Sequence, residues 1–317
     1  MQTYVIRRLL QLIPTLFAAS LLIFLVITLA PGDPAAMRLG TEATPEQIVL
    51  ERTRLGLDRP LPVRYVIWLT DVVRLDLGQS LYTNRPVTTL IAEAFPKTVQ
   101  LSLLALALSL ILGLLLGMIA ALRQDRPADS VITSFNALGL AIPNFWLGIL
   151  MILLFSVRLR WLPPSGAGDA SGSIFTNLRY LVMPIISIAV SNLSVFARFT
   201  RSALIDVLSE DFIRTARAKG LREQVVVNRH ALKNALIPVV TIVGIQFGRL
   251  LGGAVVTESV FAYPGIGRLT VTAILNRDYP VVQAVLMLVV LIFLIANVIV
   301  DLLYGYLDPR VRFEQTE

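Results

Sequence analysis

The residue types that enzymes most often use for catalysis are scarce in this sequence. It has no cysteine and one histidine, His230, so it offers no thiolate metal site, no cysteine nucleophile and no histidine cluster. None of its three lysines lies in a GxxxxGK[ST] pattern, so the chain cannot supply a phosphate-binding loop of its own. We therefore predict no catalytic residue, no metal site and no cofactor in this chain, and we assign His230 a structural role.

Polar and basic residues are concentrated in one interval, Ser209 to Pro238, which lies between two apolar stretches. Ser209, Glu210 and Asp211 are residues that cap or favour a helix start, and Gly220 suits the left-handed residue that follows a last turn. These signals predict a short helix over 211–220. The residues that we expect to contact a partner are Asp211, Arg214, Thr215, Ala216, Arg217, Ala218, Lys219 and Gly220.

The spacing of these residues alone leaves two interpretations of the interval open. The helix could lie in a groove of another protein, with its basic side chains paired to acidic groups there. Alternatively, a basic loop beside apolar spans could simply follow the positive-inside rule and touch lipid headgroups.

The elements that position this interval are membrane spans. Hydrophobic residues make up 56% of the 317, charged residues only 15%, and the mean hydropathy is +0.74. The net charge of +7 is not grouped with aromatic residues, which favours membrane orientation over nucleic-acid binding. The sequence predicts an all-α membrane protein with six transmembrane helices, at about 9–30, 99–122, 131–157, 181–197, 235–256 and 281–304.

Basic residues predict the orientation of these spans. Six spans place both termini and two connecting loops on the same side of the membrane as Arg7 and Arg8. Basic residues are commoner on that side than in the two short loops on the other side, so both termini are expected to be cytoplasmic. The predicted division is 1–30 for the N-terminal tail and first span, 31–97 for a partly helical external segment, 98–306 for the five-helix core with a cytoplasmic loop at 198–234, and 307–317 for a cytoplasmic tail. In the external segment, Thr44, Pro45 and Gln47 form a capping-box pattern.

Small residues and one charge stand out inside the spans. Gly244, Gly248 and Gly252 recur every four residues, as do Gly113 and Gly117, a spacing that lets helix backbones approach closely within one subunit or between subunits. Arg249 lies among the first set, where an uncompensated charge costs roughly 3 kcal/mol or more. It is a candidate for a translocation path or gate, together with Glu258, or else part of a structural pair.

Residues 211–241 resemble the cytoplasmic coupling loop of ABC importer permeases of the dipeptide, oligopeptide and nickel class. Ala216 and Gly220 match the related E-A-A, three residues, G pattern, whereas Thr215 stands where the glutamate would be. Segments along nearly the whole chain resemble the first permease subunit of that family: PGDP at 31–34, LGLDRPLP at 55–62, DLGQS at 76–80, IPNFW at 142–146, WLPPSG at 161–166, ESVFAYPGIG at 258–267 and DLLYGYLDPR at 301–310.

The resemblance implies the type I permease fold of ABC importers and a set of partners. The partners are a second similar permease, two cytoplasmic ATPase subunits that bind ATP and magnesium, and an external substrate-binding protein. The resemblance also implies that the chain lies in the cytoplasmic membrane of a bacterium or archaeon. The chain would then be a transport subunit and not an enzyme, and it would form half of the translocation path for peptides. Di- or oligopeptides are the expected substrates, and nickel complexes, glutathione or sugars are the alternatives.

Two other classes of function fit the sequence less well. A stand-alone secondary carrier is disfavoured because acidic residues fall in loops or at span ends. An intramembrane hydrolase would need a nucleophile and a base at membrane depth, which this sequence does not offer.

Overall fold

The protein is built from α-helices, described here in a computed structural model over residues 2–29, 32–40, 43–168 and 174–307. Within these ranges the only β pairing is one isolated bridge between Gln79 and Pro86. The helices are α1 Gln2–Leu29, α2 Pro34–Leu39, α3 Pro45–Arg54, α4 Leu61–Val73, α5 Val87–Leu122, α6 Pro127–Ala141, α7 Asn144–Met151, α8 Ile174–Leu208, α9 Asp211–Ala218, α10 Glu223–Val225, α11 Leu232–Gly253, α12 Val255–Val260, α13 Ile266–Leu275 and α14 Tyr279–Leu307.

Five helical stretches are long and apolar enough to cross a membrane, and a bent pair brings the count to the predicted six if it is one span. The five stretches are Leu10–Leu29, Val87–Leu122, Asn177–Leu208, Glu223–Leu250 and Tyr279–Val300. The all-α membrane fold is therefore confirmed. The side of the membrane on which each terminus lies stays a prediction, as does the division of the chain by membrane side, and residues 308–317 of the expected C-terminal tail lie outside the described residues.

The span predicted at about 131–157 is not one straight helix but two helices that meet at a sharp bend. Helix α6 ends at Ala141, α7 starts at Asn144, and the two are bent by 97°. Ile142, which precedes Pro143, is extended with φ −81° and ψ 121°, as the clash with a following proline ring demands. Helix α7 then continues as a π-helical turn from Ile152 to Arg158.

The chain divides into two compact units, the first comprising residues 1–98 and 264–295. Its core includes Val87, Ile266 and Val285. The predicted capping box is confirmed, because Thr44 Oγ1 accepts from the Gln47 amide and Gln47 Oε1 accepts from the Thr44 amide. Helix α4 packs along α1, where the Tyr65 hydroxyl lies 2.8 Å from Ser20 Oγ.

The second unit comprises residues 99–263 and 296–317, and its central element is α8. Helices α5, α6, α7 and α11 all pack on α8. Gly113 and Gly117 of α5 face α8, Gly139 of α6 faces Ser194, and Gly148 of α7 faces Ser187 and Phe261. Gly113 and Gly117 lie close to the α8 backbone, where a Cβ would meet the Leu193 and Ala197 carbonyl oxygens, whereas the space beside Gly139 and Gly148 is limited by side chains.

The glycines of α11 make a different contact. Gly244 faces Val300 of α14, and Gly248 is buried. Gly252 lies in α11, but its surroundings are outside the described side chains. The contacts of Gly113, Gly117 and Gly244 are thus made within this subunit, which is one of the two arrangements that the spacing allowed.

A methyl group at Gly117 should force α5 away from α8. Its Cβ would lie 2.5 Å from the Ala197 carbonyl oxygen and 2.7 Å from Thr200 Cβ. We expect Gly117→Ala to destabilise the protein by about 1–3 kcal/mol, as overpacking in a close contact does. The thermal unfolding midpoint in detergent measures this, with Ala107→Leu at an exposed position of α5 as the control; an unchanged midpoint for Gly117→Ala would contradict the packing.

Candidate functional site

The short helix expected over 211–220 is present as α9, Asp211–Ala218. It ends as predicted, because Gly220 has φ +77° and its amide donates to the Arg217 carbonyl. The predicted side-chain cap at its start is wrong. Glu210 is the capping residue but makes no side-chain cap bond, and Ser209 Oγ donates backwards to the Asp206 carbonyl at the end of α8.

One face of α9 is buried in the second unit itself. Ile213 is fully buried and Ala216 is nearly so, which is the three-residue spacing of one helix face. They pack in a cluster with residues from the ends of α5, α8 and α11 and from the segment between α9 and α11: Ala121, Leu204, Val226, Ala231 and Ala235. Ala216 therefore holds α9 in place and is not part of its exposed surface.

An ion pair closes the turn that follows α9. Arg217 donates from Nε to Glu223 Oε2 at 3.2 Å and from Nη2 to Glu223 Oε1 at 2.7 Å. These bonds raise the pKa of the Arg217 guanidinium above its ordinary value. Arg217 was predicted to meet acidic groups of a partner, but the structure gives it a partner within its own loop.

The opposite face of α9 is exposed and carries a narrow ridge. Asp211, Arg214, Thr215 and Ala218 are all exposed and follow the i, i+3, i+4, i+7 spacing of one helix face; we call them the α9 ridge. Arg214 pairs with Asp211 at 3.1 Å. Phe212 flanks the ridge with 44% of its surface exposed, and Lys219 and Gly220 are exposed at its end. An aromatic side chain beside small residues is suited to a protein contact.

The loop is joined to α11 without a flexible linker. Helix α10 passes into a π-helical turn, Val226–Ala231, and this turn passes directly into α11. Val226, Val227 and Ala231 are buried. The His230 carbonyl accepts a hydrogen bond from Asn234 Nδ2 at 2.8 Å. After the four-residue turn 219–222, the chain therefore runs from α10 to α11 as packed helical backbone.

A second ion pair near these helix ends escaped sequence reasoning. Arg201 of α8 donates from Nε and Nη2 to the two carboxylate oxygens of Asp129, each at 2.7 Å. Asp129 is buried in the first turn of α6 and also accepts from the Asp125 amide. Seventy-two residues separate the partners, so no local spacing indicated the pair.

Arg249 begins a chain of polar contacts that leads into the protein. Its side chain is exposed on α11 and donates to Gln246 Oε1 at 3.4 Å. Gln246 Nε2 donates to Asn192 Oδ1 at 2.7 Å, and Asn192 Nδ2 donates to the Ile188 carbonyl within α8. Sequence reasoning missed Gln246 and Asn192, although Gln246 stands one turn before Arg249 in an otherwise apolar span.

Glu258 lies in a different setting from Arg249. It is fully buried in α12, and its carbonyl accepts from the Tyr263 amide. Since Arg249 is exposed and Glu258 is completely buried, the structure does not present the two side chains together on one surface. Glu258 is therefore part of the interior in this structure, and its place in a translocation path or gate stays a prediction.

Two family models match the chain. Residues 113–313 match the model described as binding-protein-dependent transport system inner membrane component, and residues 1–102 match the model of the N-terminal part of such membrane components.

Similar proteins cover almost the whole chain. The probable peptide ABC transporter permease y4tP of Sinorhizobium fredii is 41% identical over 313 residues, which is 99% of this chain and 100% of that protein. The glutathione transport system permease GsiC is 45% identical in Pectobacterium atrosepticum and 44% identical in Escherichia coli K12, in each case over 314 residues, 99% of this chain and 100% of the relative.

Solved structures share the fold at low identity. An inward-facing MetNI methionine ABC transporter aligns with a TM-score of 0.58 and 18% identity over 69% of this chain and 96% of that chain. An amino acid ABC transporter with histidines aligns with a TM-score of 0.55 and 14% identity over 69% of this chain and 94% of the other.

The Arg217 and Glu223 pair can be tested by exchanging its charges. Arg217→Glu places two negative charges together, so the rate of amide hydrogen exchange in 217–223 should rise roughly two- to fivefold. This range corresponds to the loss of an exposed ion pair that stabilises the loop by up to about 1 kcal/mol. The double variant Arg217→Glu with Glu223→Arg should restore slow exchange. Rapid exchange in the double variant as well would mean that the pair does not hold the loop.

Proposed function

Because the chain belongs to the family of binding-protein-dependent transport system inner membrane components, as a multi-pass permease subunit of an ABC importer, we propose that it forms half of a peptide translocation path and is driven through α9. The observation that carries this proposal is the two-sided character of α9. Its inner face is packed into the membrane unit, while the α9 ridge is exposed and has no second element covering it among the described residues.

The proposed partner of the α9 ridge is a cytoplasmic ATPase subunit. A groove on that subunit would receive Thr215 and Ala218, whose small side chains allow close approach, and Phe212 would fill a pocket beside them. Arg214 and Lys219 would pair with acidic groups at the rim. Asp211, Ala216, Arg217 and Gly220 would act indirectly, because they shape and hold the helix.

The proposed mechanism follows from this attachment. ATP and magnesium would bind to two ATPase subunits, whose closure would draw the coupling helices of two similar permeases together. Since α9 shares its core with the ends of α5, α8 and α11, its movement would be passed to these helices as a rigid body. The nucleotide state would thus shift the membrane helices between two arrangements by differential contact, and an external binding protein would deliver the cargo.

Peptides are the proposed cargo, with di- and oligopeptides first. The names of the relatives, a peptide permease and a glutathione permease, support a peptide-like substrate. Nickel complexes and sugars are the alternatives. We further propose that both termini are cytoplasmic and that the chain resides in the cytoplasmic (inner) membrane of a bacterium or archaeon. This fits the basic residues of the loop and the bacterial relatives.

Arg249 is the proposed contact for the cargo within the path. A charged side chain exposed on an apolar span is tolerated where it faces water or protein, which is the situation of a translocation path between two permeases. Its guanidinium would bind the carboxylate of a passing peptide, and Gln246 and Asn192 would hold it from below.

The coupling role is tested by enlarging the α9 ridge. Ala218→Trp should prevent the ridge from entering a partner groove, so that uptake of a labelled dipeptide by reconstituted transporter falls at least tenfold while basal ATP hydrolysis persists. Gln124→Trp, at an exposed position in the turn between α5 and α6, is the matched control and should transport normally. Full transport by Ala218→Trp would refute the proposed contact.

The cargo contact is tested at Arg249. Arg249→Gln should reduce uptake of a dipeptide about tenfold or more, because a charge-assisted hydrogen bond is worth roughly 1.5–3 kcal/mol. Arg249→Lys should keep part of the activity. Stimulation of ATP hydrolysis by the loaded binding protein should persist in both variants, which separates this effect from a loss of coupling. Equal uptake by Arg249→Gln and the unmodified protein would contradict the role.

A further inference from the structure

A cavity of about 540 Å³ lies in the first compact unit. It is formed by the end of α1, the segment from α3 to α4 and the start of α14. The residues that give it its character are Asp33, Arg52, Arg59, Arg64, Trp68 and Asp71.

The positive charges of this cavity are only partly compensated. Arg52 pairs with Asp33 at the long distance of 3.7 Å. The Arg59 and Arg64 guanidinium groups make no hydrogen bond or ion pair with any residue that the structure describes; only the backbone amides of these residues donate, to the Gly56 and Pro60 carbonyls. Burial, followed by the neighbouring charge of Arg52, lowers the pKa of the half-buried Arg64 below its ordinary value. A bound oxyanion would compensate these guanidinium groups.

The cavity also contains a carboxylate available to a positive group. Arg64, Trp68 and Asp71 lie at i, i+4 and i+7 on α4, so they share one face, with the indole between the two opposite charges. The Asp71 side chain has no hydrogen bond or ion pair within the described ranges. The site therefore fits a zwitterion that carries an oxyanion at one end and an ammonium at the other.

The position of the cavity relates it to the membrane surface. Phe24 and Thr28 line it near the end of one membrane-spanning helix, and Tyr279 and Gln283 line it near the start of another. Tryptophan and tyrosine are enriched at such membrane–water boundaries. Ile27 of α1 and Ile67 of α4 line the cavity itself, so an apolar wall adjoins its charged groups where the membrane-spanning stretch of α1 ends.

We propose that this cavity binds the headgroup of a zwitterionic phospholipid, of which phosphatidylethanolamine is the simplest. Arg59 and Arg64 bind the phosphate, Asp71 binds the ammonium, and the acyl chains lie along the apolar wall that Ile27 and Ile67 form. A free zwitterion such as a short peptide shares this polar chemistry. The adjoining apolar surface favours the lipid, because a soluble peptide would leave that surface uncovered.

The test is native mass spectrometry of the full-length protein in mild detergent, titrated with phosphatidylethanolamine or phosphatidylglycerol. Arg64→Gln should weaken binding of both lipids about tenfold, since each presents a phosphate to the same guanidinium. Asp71→Asn should weaken only phosphatidylethanolamine, because phosphatidylglycerol has no ammonium. Arg64→Lys should retain part of the binding, which guards against loss of folding as the cause.

Arg74→Gln is the matched control, because Arg74 is exposed just beyond α4 and does not line the cavity; its lipid binding should change less than twofold. Two outcomes would overturn the proposal. One is equal binding of both lipids to the unmodified protein with no effect of Asp71→Asn. The other is displacement of bound phosphatidylethanolamine by dialanine, which would assign the cavity to a soluble zwitterion. Neither outcome depends on whether α9 couples to an ATPase.

Discussion

Burial of one face of α9 is the constraint on which the rest of the structure depends. A helix of eight residues is too short to be stable alone in water. Ile213 and Ala216 give it stability through packing against the ends of α5, α8 and α11. The same packing leaves the other face exposed and joins the exposed face mechanically to three membrane helices. The stability of α9 and the transmission of movement that we propose for it therefore have one physical origin.

Local signals in the sequence were sufficient for the elements that depend on near neighbours. The capping box at Thr44 and the left-handed Gly220 involve residues within four positions, and both are present. The apolar spans followed from composition alone. The bend at Pro143 was missed because membrane helices often keep a proline inside, as α1 keeps Pro14, α5 keeps Pro96 and α8 keeps Pro184. Whether a proline breaks a helix depends on neighbours that re-satisfy the backbone.

Features that depend on distant residues could not be predicted. Arg201 was counted only as one more basic residue at a span end, although it binds Asp129 from 72 positions away. Gln246 and Asn192 meet across two helices, and nothing in the spacing of either helix indicates the other. The capping prediction at Ser209 failed for a related reason: its hydroxyl has a competing acceptor in the Asp206 carbonyl, at the end of the preceding helix.

The break between α6 and α7 constrains how the chain can enter a membrane during synthesis. Helix α6 has 15 residues and is about 22 Å long, which is shorter than the roughly 30 Å apolar layer of a bilayer, and backbone groups at the break would meet hydrocarbon. Helix α8 covers both halves: Ser187 of α8 donates a hydrogen bond to the Asn144 carbonyl just beyond the break, and Gly139 and Gly148 let α6 and α7 lie against it. Since α8 is synthesised after both, residues 127–158 acquire a lipid-compatible surface only when α8 has emerged. We therefore expect this part of the protein to integrate as a unit of three helices, with the preceding span settling only after α8 has been synthesised.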